Sequence, residues 1–293
     1  MQGSRAIHGA EDVTITDPSE LDELLPRIMR DYDASQRFFA DHRLPEYVVL
    51  EELELEGRDL ALFLTLTCLT NHIHNESGES KKTDGTDGLW HVCADLYQRH
   101  QWVYHPEQLV GDDRRDELDE LFQSLDLMDS RDPDWWYRNA KTLYEYWVSD
   151  PRNLLSEPDA STAMTTAASF DAPAIEQAVE ANDLPALSGE KIRPLWLHLM
   201  HEEVHELERI EEVHIPVDYH IVGMTNRFRG DESTFDPYEE DDRETLRRFW
   251  HLVCQQNGLV PVQVDKPLWL LNKYWDNGGR VYVAETLREI RSN

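Results

Sequence analysis

Apolar residues recur with helical spacing over most of the chain. From Ile192 onward, Ile192, Leu195, Trp196, Leu199, Met200, Val204 and Leu207 fall on one face, the pattern of an amphipathic helix. Ser19–Phe39, Leu89–Arg99, Arg114–Asp126, Asp134–Val148 and Glu244–Gln256 read as helices in the same way. Leu60–Thr70 is the longest apolar stretch; its threonines mark a buried core helix, too short and too broken for a membrane span. Tyr47–Leu55 fits either an extended or a helical segment. Strict alternation is almost absent, with Val260–Val264 and Val281–Val283 the two candidate strand pieces. The expected fold class is all-α.

Polar and breaker-rich segments separate these elements. Met1–Thr16 is polar and reads as loose, Asn75–Gly88 as a polar loop, and Gly230–Asp242 as an acidic loop. Asp150–Ala172, rich in Pro, Ser, Thr and Ala, reads as a linker. Pro173–Ala181 predicts a short helix, with Asp171 near its start and proline in its first turn. Asn182-Asp183-Leu184-Pro185 stops it, because proline disfavours helix at the preceding residue. Ser188-Gly189 then turns the chain into the helix that begins at Ile192, where Pro194 is tolerated in the first turn.

Lys191 therefore sits at a helix N-terminus, where the positive end of the macrodipole favours the neutral amine. Asp218 comes 27 positions later, in Ile215-Pro216-Val217-Asp218-Tyr219-His220, placed to cap the next helix and stay ionised. The pairing has a chemical use. A neutral lysine amine can attack a sugar carbon and form an imine, and a nearby carboxylate can stabilise positive charge on that sugar.

In these residues the chain resembles the helix–hairpin–helix superfamily of DNA base-excision glycosylases. Of the usual Gly-x-Gly before the lysine, Leu187-Ser188-Gly189 keeps only the second glycine. The long lysine-to-aspartate interval resembles the archaeal 8-oxoguanine glycosylase branch, as does Asp265-Lys266-Pro267-Leu268-Trp269, an Asp-x-x-x-Trp pair used there to hold the extruded base. The likeness is good over Pro173–Arg229, weaker over Phe249–Trp275 and only suggestive before.

The resemblance implies a two-lobed fold with a central cleft. Residues 1–18 would be a flexible N-terminus, 19–59 N-terminal helices packing on the second lobe, 60–211 the helical barrel lobe, and 212–293 the second lobe. Its implied activity is removal of an oxidised purine from DNA by a monomer, followed by strand nicking. Lys191 would be the nucleophile and Asp218 the carboxylate. Asp265 and Trp269 would hold the base, while Ser188, Gly189 and His220 hold phosphates; Trp90, which follows the polar loop, is placed near the base on its position in the sequence. No metal or organic cofactor is implied.

Charge complicates that partner. The chain carries 28 basic and 59 acidic residues, a net charge of −31, with the acid dispersed and arginine far outnumbering lysine. This is the composition of a halophilic protein kept soluble by surface carboxylates. Such a charge opposes nucleic-acid binding at low ionic strength. At multimolar salt it is screened within about 3 Å, leaving amides, helix N-termini and stacking to bind DNA. Three scattered cysteines argue against a disulfide framework and cannot supply a four-cysteine iron–sulfur site. With no secretory segment in view, the expected location is the cytoplasm.

Two other readings stay open. His201-Glu202-Glu203-Val204-His205 matches H-E-x-x-H, which on one helical face could hold zinc for a hydrolase. Alternatively, the same fold could serve a nucleoside or nucleotide salvage N-glycosylase, or a non-catalytic relative. His72, His74 and His91, around the polar loop, could line a pocket.

Overall fold

A computed structural model describes residues 13–71, 85–125, 131–155, 170–230 and 235–292. These form thirteen α-helices linked by short 3-10 turns, without a strand; one isolated bridge joins Asp171 and Glu208. The all-α expectation holds, and both candidate strand pieces are helical. Val260–Val264 enters α12 (Pro261–Lys273), and Val281–Val283 lies in α13 (Gly279–Arg291). Burial outweighs β-propensity there, since Val262, Val264 and Val283 are fully buried.

Apolar side chains gather into two clusters. The first is built from α2 (Pro45–Leu53), α3 (Gly57–Cys68), α4 (Gly85–Arg99), α5 (Pro106–Leu109), α6 (Arg115–Gln123), α7 (Asp132–Tyr146), α8 (Ala172–Ala181) and α9 (Ile192–Glu203). Trp196 of α9 is fully buried and donates its indole N–H to Thr65 Oγ1 of α3 at 2.9 Å. The polar end of the largest side chain is thus satisfied in the core. The second cluster combines α1 (Pro18–Asp33) with α10 (Tyr219–Arg229), α11 (Glu240–Asn257), α12 and α13. There Trp250 of α11 donates to Thr225 Oγ1 of α10 at 3.0 Å.

Local chemistry explains several boundaries. Asp171 caps α8 by accepting from Ala174 N at 3.0 Å, and Asp17 caps α1 by accepting from Ser19 N at 2.9 Å. The helix expected over Ser19–Phe39 ends at Asp33, because Ser35 and Arg37 adopt left-handed backbone (φ 48° and 54°) and the chain restarts as a 3-10 turn at Arg37–Ala40. Residues 13–16, expected to be loose, are tied down: Ile15 N donates to Phe228 O at 2.7 Å and Arg291 Nη2 to Thr14 O at 2.7 Å. The polar-loop expectation for Asn75–Gly88 gives way to α4 from Gly85 onward; its earlier part lies outside the described residues, as do most of the 150–172 linker and positions 231–234.

Two placements set up the candidate site. Helix α12 is buried on nearly every side, with Val262 in the first cluster and Val264, Leu268, Leu270 and Leu271 in the second. It carries Asp265, Lys266 and Trp269 into the junction. Helix α10 lies close against it at Gly223, where a Cβ would come within 2.8 Å of Asn272 Oδ1. Among the described residues no helix is long and apolar enough to cross a membrane.

Candidate active site

The chain enters α9 through a tight turn. Ser188 N donates to Leu184 O at 3.0 Å, Gly189 N to Ala186 O at 2.8 Å, and Ala186 takes a left-handed φ of 63°. A side chain at Gly189 would crowd Ala186 O, 2.9 Å from the Cβ position, so glycine suits this bend. Both amides that the sequence offered for phosphate binding, those of Ser188 and Gly189, are therefore spent within the turn. Beside them, Arg247 of α11, itself mostly buried, pairs with Glu190 at 2.6 Å and anchors the turn to the second cluster.

Lys191 is the N-cap residue of α9, and its side chain turns inward. Its Nζ donates to Asn71 O at 2.7 Å. Burial pushes the amine below the usual lysine range, against Asp218 and Asp265, which favour its charged form. The direction agrees with the sequence reading, but the main cause is desolvation.

Asp218 caps α10. Its Oδ1 accepts from His220 N at 2.8 Å and Ile221 N at 3.0 Å. The other oxygen, Oδ2, makes no hydrogen bond among the described residues.

Lys191 and Asp218 line one pocket with Asp265, Lys266 and Trp269 of α12, Glu46 of α2, Asn71, Leu44, Leu195 and Pro216. Its volume is ≈30 Å³, room for about two waters. A base enters only after these side chains part.

Asp265 is buried without a hydrogen-bond partner among the described residues. Burial, then the charges of Asp218 and Glu46, push its carboxyl well above the usual carboxylate range, toward the protonated form that can donate. Trp269 packs beside the His220 ring (centroids 4.7 Å apart), with the Lys273 ammonium 4.6 Å from the Trp269 ring. His220 Nδ1 lies 3.1 Å from Asn272 Nδ2, and burial lowers its imidazole pKa. His220 thus flanks the pocket without lining it.

Of the remaining candidates, Trp90 is not brought here. It is 1% exposed in the first cluster, packed on Phe63 at 6.1 Å, and does not line the pocket. His91 is exposed on α4; His72 and His74 lie outside the described residues. The H-E-x-x-H pattern fails geometrically because α9 ends at Glu203. His201 Nδ1 accepts from Leu207 N at 2.8 Å, closing the helix end, while the His205 ring lies tilted against Phe170 with centroids 3.5 Å apart. The two histidines are not one helical turn apart on a common face, and among the described residues no group of three acidic, His or Cys side chains is arranged to hold a metal.

Sequence reasoning missed Glu46, Asn71 and Lys266. Glu46 follows Pro45 in the first turn of α2, where an acidic residue is ordinary helix chemistry. Lys266 did carry a signal, since lysine is scarce in this chain beside arginine.

No protein-family model matches the chain, and neither a curated protein nor a solved structure is similar enough to count as a match.

Proposed function

We propose that the protein is a DNA base-excision N-glycosylase with AP-lyase activity, acting on an oxidised purine of the 8-oxoguanine kind. One observation carries this reading: a buried lysine amine, lowered toward its neutral form, shares a pocket with an N-cap aspartate and an Asp-x-x-x-Trp pair from a separate helix. An amine nucleophile and a carboxylate that stabilises developing positive charge are a combination that displaces a base from a sugar.

In this mechanism the target nucleotide leaves the helical stack, since its glycosidic carbon is unreachable within the duplex. Lys191 lets go of Asn71 O and attacks C1′. Asp218, through Oδ2, stabilises the positive charge that develops on the sugar. Trp269 offers a face for the base to stack on, and the protonated Asp265 donates to one of its acceptors. The resulting imine allows β-elimination of the 3′ phosphate. With the Ser188 and Gly189 amides spent, flanking phosphates fall to His220 and to the positive end of α9.

The small pocket and the charge of −31 favour, as a second reading, an N-glycosylase acting on a free nucleoside. Incubation with an 8-oxoguanine duplex and with the matching free nucleoside, in multimolar KCl, separates the two. Base release from the duplex with strand nicking is expected. Release from the nucleoside alone would move the substrate to the second reading.

A further inference from the structure

Lys266 is 4% exposed and lines the same pocket as Lys191, yet the steps above give it no task. Its Nζ contacts Glu202 Oε2 of α9, to which the Tyr47 hydroxyl also donates, and it lies 4.3 Å from the centre of the Tyr47 ring. The second oxygen of Glu202, Oε1, is 2.9 Å from His198 Nε2. His198 Nδ1 is buried without a hydrogen-bond partner among the described residues.

A chain of exchangeable groups thus runs from the pocket through a partly exposed carboxylate to an imidazole. Acidic groups face the ammonium from three other helices: Asp33 of α1, Glu46 of α2 and Glu202 of α9. Burial nevertheless lowers its pKa, which makes it a readier acid. For structure alone an arginine, the cation this chain prefers, would serve a buried ion pair better, but it could not release a proton.

We propose that Lys266 is the proton carrier of the pocket, protonating the departing base and taking a proton back when the strand is cut. This rests on the glycosylase reading above. The balance requires a proton donor to the base and an acceptor for the C2′ proton. Attack by neutral Lys191 forms the N–C1′ bond and breaks the bond to the base, whose electron pair leaves with it. Of the two amine protons, one stays on the protonated imine and one goes to the ring oxygen as the sugar opens. The base needs a third, which the Lys266 ammonium supplies, becoming a neutral amine. β-Elimination then breaks C2′–H and C3′–O, the phosphate departs with its electron pair, and Lys266 takes the C2′ proton. The carrier ends as it began.

The test separates base release from an 8-oxoguanine duplex, nicking of a preformed abasic-site duplex, and borohydride trapping on that second duplex, all in high KCl. Lys266→Arg and Lys266→Met should each slow release and nicking by about 100-fold, while trapping through Lys191 stays within about 3-fold. Lys266→Arg keeps the charge opposite Glu202, so it remains informative if Lys266→Met fails to fold in a melting scan. Glu202→Gln removes a carboxylate that favours the ammonium, so the alkaline limb of the release profile should move to lower pH. Wild-type rates in Lys266→Arg, or loss of trapping together with the rates, would overturn the carrier role. Absence of any trapping by the wild-type chain would instead overturn the glycosylase reading beneath it.

Discussion

Asp218→Asn separates chemistry from capping because the two roles use different properties of one side chain. Asp218 is mostly buried, and its Oδ1 holds the amides of His220 and Ile221 at 2.8 and 3.0 Å. Asparagine keeps an oxygen at that position, so the cap survives and folding stability should fall by at most ~1 kcal/mol. The lost negative charge has two opposed effects. Asp218 favours the ammonium form of Lys191, so its removal leaves more of that amine neutral. The nucleophile itself is therefore not impaired. What disappears is charge stabilisation of the sugar in the transition state, and base release should slow by at least ~100-fold, about 2.7 kcal/mol. Binding of lesion duplex should persist or tighten, since repulsion between the carboxylate and the phosphates is relieved. Single-turnover base release, duplex binding and a thermal melt in the same KCl buffer measure all three. A variant that unfolds, or one that releases base at the wild-type rate, would make Asp218 a structural cap and refute its pairing with Lys191.

Asp265→Asn should raise the melting temperature at neutral pH, with the gain vanishing near pH 4. Its carboxyl has a folded pKa above the unfolded value, so the wild-type chain loses stability as pH rises from the unfolded pKa, a penalty the amide lacks. A gain that persists at pH 3 would contradict the assignment of that burial cost to ionisation. Gly223→Ala should cost about 1–2 kcal/mol in a denaturant melt, because its Cβ would displace the Asn272 amide that meets His220. His205→Ala should shift stability by less than ~0.5 kcal/mol, and chelator should leave both the melt and base release unchanged; stoichiometric zinc lost with this variant would revive the hydrolase reading.

Much of this architecture was legible in the sequence. Asp171, Pro173 and Ile192 marked helix starts through chemistry that depends only on neighbouring residues, and those starts appear at α8 and α9. Asp218 was legible as a cap for the same reason. Long-range effects were not. Val204 and Leu207 continue the apolar spacing of α9, yet the helix stops at Glu203, where the His201 ring takes the Leu207 amide. Periodicity carries no information about such a closure. Trp90 and Trp269 look alike in sequence; only packing sends the first into a core and the second to the pocket. Glu46, far from Lys191 along the chain, lines the same pocket because α2 packs at the junction where α12 passes between the clusters. Lys266 is hidden differently: it neighbours Asp265, but its burial depends on contacts with Tyr47 and Glu202 from two other helices.

The central claim is that the Lys191 amine forms an imine with the sugar, and borohydride trapping with peptide mapping tests it most directly. The chain, incubated in multimolar KCl with an abasic-site or 8-oxoguanine duplex and reduced, should give one covalent adduct on the peptide containing Lys191. The adduct should vanish in Lys191→Ala and remain in Lys273→Ala. An adduct that survives Lys191→Ala, or maps to another lysine, would contradict the account.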